Sequence, residues 1–157
     1  MKTTTLFALA LTMFLTCTKV FAAVPRELQD LIPAGKSRLT LTGKTEKNES
    51  CIVDFANDKY SFSTSLSATD ANGNLIGNRI GTFQIGFGYQ LQSVSTQNTN
   101  IIAVVFHNAE EQYSNNSLVT LKVNKPGDSI RAVQVIIQEK RLFFGYKTVF
   151  KETCIIQ

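Results

Sequence analysis

Two cysteines bracket nearly everything in this chain that can fold. Cys51 sits in the short apolar stretch Ser50-Cys51-Ile52-Val53-Asp54-Phe55, and Cys154 lies three residues from the last one. Joining them closes a loop of roughly one hundred residues, which the chain-entropy account values at about 4.7 kcal/mol of denatured-state constraint.

Whether they join depends on the compartment, and the N-terminus speaks to that. Met1-Lys2 gives a positive start. Leu6 to Leu15 is an apolar run too short to span a bilayer, and Val20-Phe21-Ala22 puts branched and small residues where a signal peptidase reads. The pattern predicts a secretory signal over residues 1–22, cleaved near Ala22, and a secreted or periplasmic product. Cys17 raises a lipoprotein alternative, but Thr16 and Phe14 occupy positions where a lipobox needs a small and an aliphatic residue. Removing the signal leaves Cys51 and Cys154 as the only cysteines, an even pair in an oxidising setting, hence an expected disulfide. Zinc lacks ligands, because His107 is the only histidine.

The net charge is +4 at pH 7, and Lys2 and Lys19 contribute two of those units from within the signal. The remaining basic residues are scattered rather than striped, which argues against nucleic acid. No second apolar run is long enough for a transmembrane helix.

Residues 23–36 hold the one helical pattern: Leu28, Leu31 and Ile32 share a face, with Pro25 before them and Pro33 stopping the run. From Ser37 to the end, residues 37–157, the apolar period is two. Ser37–Thr42, Ser50–Phe55, Lys59–Ser67, Ile80–Val94, Asn100–His107, Leu118–Val123, Ile130–Gln138 and Leu142–Phe150, continuing to Ile156, read as strands. The stretch Ile80–Val94 reads as one long strand, with Gly81, Gly86 and Gly88 assigned to the face opposite Phe83 and Ile85. Asn100–His107 reads as covered on both sides, and Glu139-Lys140-Arg141 as a tight turn. About eight or nine strands with no helix between them predict an all-β fold. The reading favours a single antiparallel up-and-down barrel with a short N-terminal helix; a β-sandwich is the alternative.

Catalytic signatures are weak. His107 ends an apolar strand, with no visible nucleophile or orienting partner. Asp70, Glu110, Glu111, Asp128 and Glu139 fall in expected turns, and Asp54 alternates to the outside. Asp70-Ala71-Asn72-Gly73-Asn74 resembles the start of a calcium loop, but Leu75 and Gly81 stand where that loop needs its glycine and its glutamate. Asn48-Glu49-Ser50 and Asn115-Asn116-Ser117 are formal glycosylation acceptors. Aromatic residues are in excess, and Phe143, Tyr146, Tyr89 and Phe87 form the candidate binding surface. The expectation is an exported, non-catalytic binding domain without metal or cofactor, taking a protein partner or a small apolar ligand. An inhibitor of a secreted hydrolase, presenting the loop Asn108–Ser117, and a structural envelope protein are the alternatives, with a small enzyme using turn carboxylates ranked last.

The mature chain is expected to begin at Ala23 by mass spectrometry and to take up no alkylating label without reductant. One labelled cysteine on Cys51 or Cys154 refutes the bridge.

Overall fold

The computed structural model describes residues 23–58, 61–86, 88–108, 116–141 and 145–157. The signal reading over 1–22, the aromatics Phe87 and Phe143, and the tip of the Asn108–Ser117 loop lie outside them. Among the described residues one short helix, α1 (Arg26–Gln29), precedes nine strands: β1 (Arg38–Thr45), β2 (Ser50–Asn57), β3 (Phe62–Thr69), β4 (Leu75–Ile85), β5 (Tyr89–Gln97), β6 (Asn100–His107), β7 (Ser117–Asn124), β8 (Ala132–Arg141) and β9 (Gly145–Ile156). They form one antiparallel sheet in the order β4-β3-β2-β1-β9-β8-β7-β6-β5. The all-β reading holds. The sheet is not closed: β4 and β5 are its two edges, joined only at the Gly86–Tyr89 bridge.

Cys51 and Cys154 are disulfide-bonded. Cys51 is on β2 and Cys154 on β9, the two neighbours of β1. In a flat sheet, strands two places apart lie about 9.5 Å from one another, yet the two Cα atoms are 5.8 Å apart. The sheet therefore folds sharply along β1, and the bridge spans the inside of that fold, fully buried. Gly43 makes the corner possible. It pairs with Cys51 on one side and Ile156 on the other, and a Cβ there would run into the backbone carbonyl of Ile155.

The inner face is filled by alternating residues. Val53 and Phe55 of β2, Phe62 and Leu66 of β3, and Phe83 of β4 are fully buried, as are Val105, Leu121, Val123, Val133 and Val135 from the other half. The Phe62 ring sits 6.2 Å from Phe55 and 6.3 Å from Phe83, in tilted and edge-on arrangements that favour aromatic pairs. Burying each such side chain contributes about 1.5–3 kcal/mol. Thr64 is the discordant member: its hydroxyl is buried with no partner among the described residues. Val24, Leu28, Leu31 and Ile32 join this core, so α1 and its flanks pack their apolar face as the spacing predicts.

Four expectations need correction. The stretch Ile80–Val94 is not one strand: the chain reverses at Gly86 and Gly88, whose φ values of 100° and 87° are open to glycine and costly to other residues. Gly81 lies on the inner face, with Phe83 and Ile85, because their spacing is even. A side chain at Gly81 would collide with the Phe150 ring, whose Cζ is 2.7 Å from the Cβ position. Glu139–Arg141 is strand, not turn: β8 continues through Glu139↔Lys147 to Arg141↔Gly145, and Gly145 takes the positive φ. β6 is not covered on both sides, since only Ala103 and Val105 are buried while Ile102, Val104 and Phe106 remain half-buried on the outer face.

Gly43→Ala is expected to destabilise the oxidised protein by about 1–3 kcal/mol, the usual cost of forcing atoms into a packed site. A lowered urea midpoint with unchanged slope is the readout. An unchanged midpoint would mean that β9 does not approach β1 this closely.

Candidate functional site

Of the predicted aromatic surface the structure describes Tyr89 and Tyr146. Tyr146 is exposed at the start of β9, whereas Tyr89 is half-buried at the start of β5. The register Tyr89↔His107↔Ser117↔Glu139↔Lys147 puts them at one end of the sheet, four strands apart. That is about 19 Å at ordinary strand spacing. Tyr89 stacks instead on His107, ring centroids 4.2 Å apart and nearly parallel. The imidazole is thus a packing partner at a strand end, with no nucleophile or carboxylate bonded to it among the described residues.

The other notable polar group is an ion cluster that the sequence reading missed. Between Ser67 and Thr69 the β3–β4 register jumps from Ile80 to Leu75, with Gly77 at positive φ. Arg79 lies beside this irregularity on the same parity as Gly81, Phe83 and Ile85, so plain alternation turns it to the inner face. One guanidinium nitrogen donates to Glu49 Oε2 at 2.7 Å, and the other to Glu152 Oε2. Thr45 holds the Glu49 turn, its hydroxyl accepting from the Glu49 and Lys47 amides. Glu152 is only 9% exposed. The hydrogen bonds from Glu152 first and Glu49 second push the Arg79 pKa above the usual arginine range. Two carboxylates do converge, but on an arginine rather than a cleft. Parity was the missed signal: if Cys154 faces inward, so do Glu152 and Phe150.

Other acidic residues serve local roles. Asp70 accepts from the amides of Asn74 and Asn72. Those bonds, Asn74 foremost, hold its carboxyl below the ordinary value. By linkage, the turn's contribution is present at neutral pH and lost as pH falls through that lowered pKa. Asp54 faces outward and accepts from the Thr40 hydroxyl at 2.5 Å. Asn48 is exposed in its turn at φ 63°.

A concave site lies where the β1–β9 ladder stops. β9 pairs only with Gly43, Lys44 and Thr45, so the first half of β1 runs on without a neighbour on that side. A groove of about 480 Å³ opens there. Leu39 and Leu41 from β1, Leu31 and Pro33 after α1, and Ile130 before β8 give it an apolar floor, with Asp30, Lys125 and Asp128 around it. Asp30 pairs with Arg26 at 3.6 Å; Lys125 and Asp128 enter no ion pair among the described residues. Nothing in the period-two pattern announced this groove, because it depends on where one strand ends beside another. No cluster of His, Cys, Asp and Glu fit to hold a metal occurs among the described residues, and no described helix is long and apolar enough to cross a membrane.

The chain matches no family model, no curated protein and no solved structure.

Arg79→Met leaves Glu152 buried without its cation. We expect a loss of about 2–3 kcal/mol in urea unfolding, with partial recovery in the double variant Arg79→Met/Glu152→Gln. A neutral single variant would show that the cluster is solvated.

Proposed function

We propose that the mature chain is an exported, non-catalytic binding domain whose groove beside β1 receives an apolar group of a protein partner or small ligand. The observation that carries this is the groove itself: an apolar floor bordered by one uncommitted cation and one uncommitted anion, next to a densely filled core. Binding sites commonly combine apolar lining with a few fixed polar groups. A passive role is supported by how the reactive side chains are spent. His107 packs on Tyr89, and the carboxylates of Glu49 and Glu152 are both ion-paired to Arg79. Export is supported by the N-terminal pattern and by the bridged cysteines, which suit an oxidising compartment.

We read the sheet further as an up-and-down barrel with one open seam. In favour of this, strand order follows chain order away from β1 on one side and from β9 on the other. The edge strand β4 also folds across the interior to meet β9 at Gly81–Phe150 and Arg79–Glu152.

An apolar fluorescent dye, anilinonaphthalene sulfonate, tests the groove. At about −0.3 kcal/mol per heavy atom it should bind in the tens-of-micromolar range. Ser129→Trp, which fills the groove from its exposed rim, and Leu41→Lys, which charges the floor, should each weaken it about tenfold. Dye binding indifferent to both substitutions would overturn the assignment.

A further inference from the structure

The groove borders an uncovered backbone edge. Gln157 donates its N–H to the Thr42 carbonyl on the β9 side, whereas Asn57 donates to the Ser37 carbonyl on the β2 side. Alternation along a strand then turns the N–H and C=O of Arg38 and Thr40 toward the β9 side. Among the described residues no strand pairs with them there, because that ladder begins at Gly43. Across the gap stand Lys125, Asp128, Ser129 and Ile130, with Leu39 and Leu41 turned into the groove between.

We propose that the Arg38–Thr42 edge takes up an extended peptide of a partner protein as an added strand, antiparallel to β1 and on the line that β9 leaves. This deepens the binding role argued above and rests on the groove being its site. The backbone specifies the occupant. Two residues offering both a donor and an acceptor allow up to four main-chain hydrogen bonds, which an extended peptide satisfies and a compact ligand does not. The side chains specify its sequence. In antiparallel pairing, the peptide residues opposite Leu41 and Leu39 point into the groove, so they are apolar and separated by one residue. The charges specify its flanks: Lys125 and Asp128 complement a peptide carrying one acidic and one basic side chain beside the apolar pair. The edges of β4 and β5 also lack neighbours, but the described groove lies beside β1, where ladder and pocket coincide.

The test uses the full mature, oxidised chain and fluorescein-labelled, capped pentapeptides of the form Lys-Val-Thr-Val-Glu, together with the charge-reversed Glu-Val-Thr-Val-Lys. Methylating the backbone nitrogen of the central Thr, which faces Thr40, should weaken binding about tenfold, the value of one lost hydrogen bond. Methylating the second Val nitrogen should change it by less than about threefold. Thr40→Pro removes the facing N–H at an edge position where proline is tolerated. It should likewise lose peptide affinity about tenfold while retaining the dye. The Arg38 and Thr40 amides should exchange quickly in the free protein and be protected by the peptide. Absence of peptide binding with dye binding intact overturns strand addition and leaves the groove standing. Equal effects of the two methylations, protection on β5 instead, or slow exchange at Thr40 without peptide also overturn it. Loss of dye sensitivity to the groove variants, by contrast, removes the broader reading.

Discussion

The fold turns on a contact between two strands that are not neighbours. β2 and β9 flank β1, and only a sheet bent along β1 can bring Cys51 and Cys154 into bonding distance. Three sequence choices meet at that corner. The cysteines occupy inward positions of their strands, Gly43 omits the one Cβ that would block β9, and β1 pairs with β9 over three residues only. A longer ladder would hold the sheet flatter along that line and separate the sulfurs. The covalent link and the truncated ladder are therefore two aspects of one geometry, and the uncovered edge of β1 is its by-product.

The same bend explains the polar cluster in an otherwise apolar interior. Folding the sheet back brings β4 over β9, and the two meet through Phe150 against Gly81 and Glu152 against Arg79. Desolvating Glu152 is expensive, and such buried ions rarely add net stability over an apolar replacement. What the pair supplies is register. A slip of one residue in β4 moves Arg79 to the outer face and puts a side chain where Gly81 must be, so both contacts fail together.

How much of this was legible depended on whether the signal was local. Period-two alternation marked most strands, and the cysteine pair was readable from parity and compartment. Where the alternation was continuous, as over Phe83, Ile85, Phe87, Tyr89 and Leu91, it hid the reversal at Gly86 and Gly88, because a hairpin of that length preserves the pattern on both arms. Glu139-Lys140-Arg141 read as a turn because it is a charged run between two apolar ones, although the β8–β9 ladder runs through it to Arg141↔Gly145. The pair Tyr89 and Tyr146 raises a different difficulty. Tyr89 and Tyr146 are far apart in the sheet order, and sequence composition carries no information about that distance. Arg79 shares the inward parity of Gly81 and Phe83, but its partners Glu49 and Glu152 lie 30 and 73 residues away in the chain, and no local signal joins them.

The open edge of β1 bears on why the sheet need not close to be stable. An exposed edge is a template for other chains, and proteins commonly guard it with charge, proline, bulges or cover. On β5, Tyr89–Gln97 carries no charge at all; its guard is the bulge between Leu91 and Ser93 and the tight turn that ties it to β4. On β1, Arg38 and Lys44 bracket the free stretch, and the residues that follow α1 and those that precede β8 stand beside it. A wide flat edge would recruit any extended chain, including another copy. A narrow one beside an apolar groove selects by side chain as well as by backbone. That difference separates a recognition edge from an aggregation hazard, and it is the ground on which we propose β1 as the selective edge of this fold.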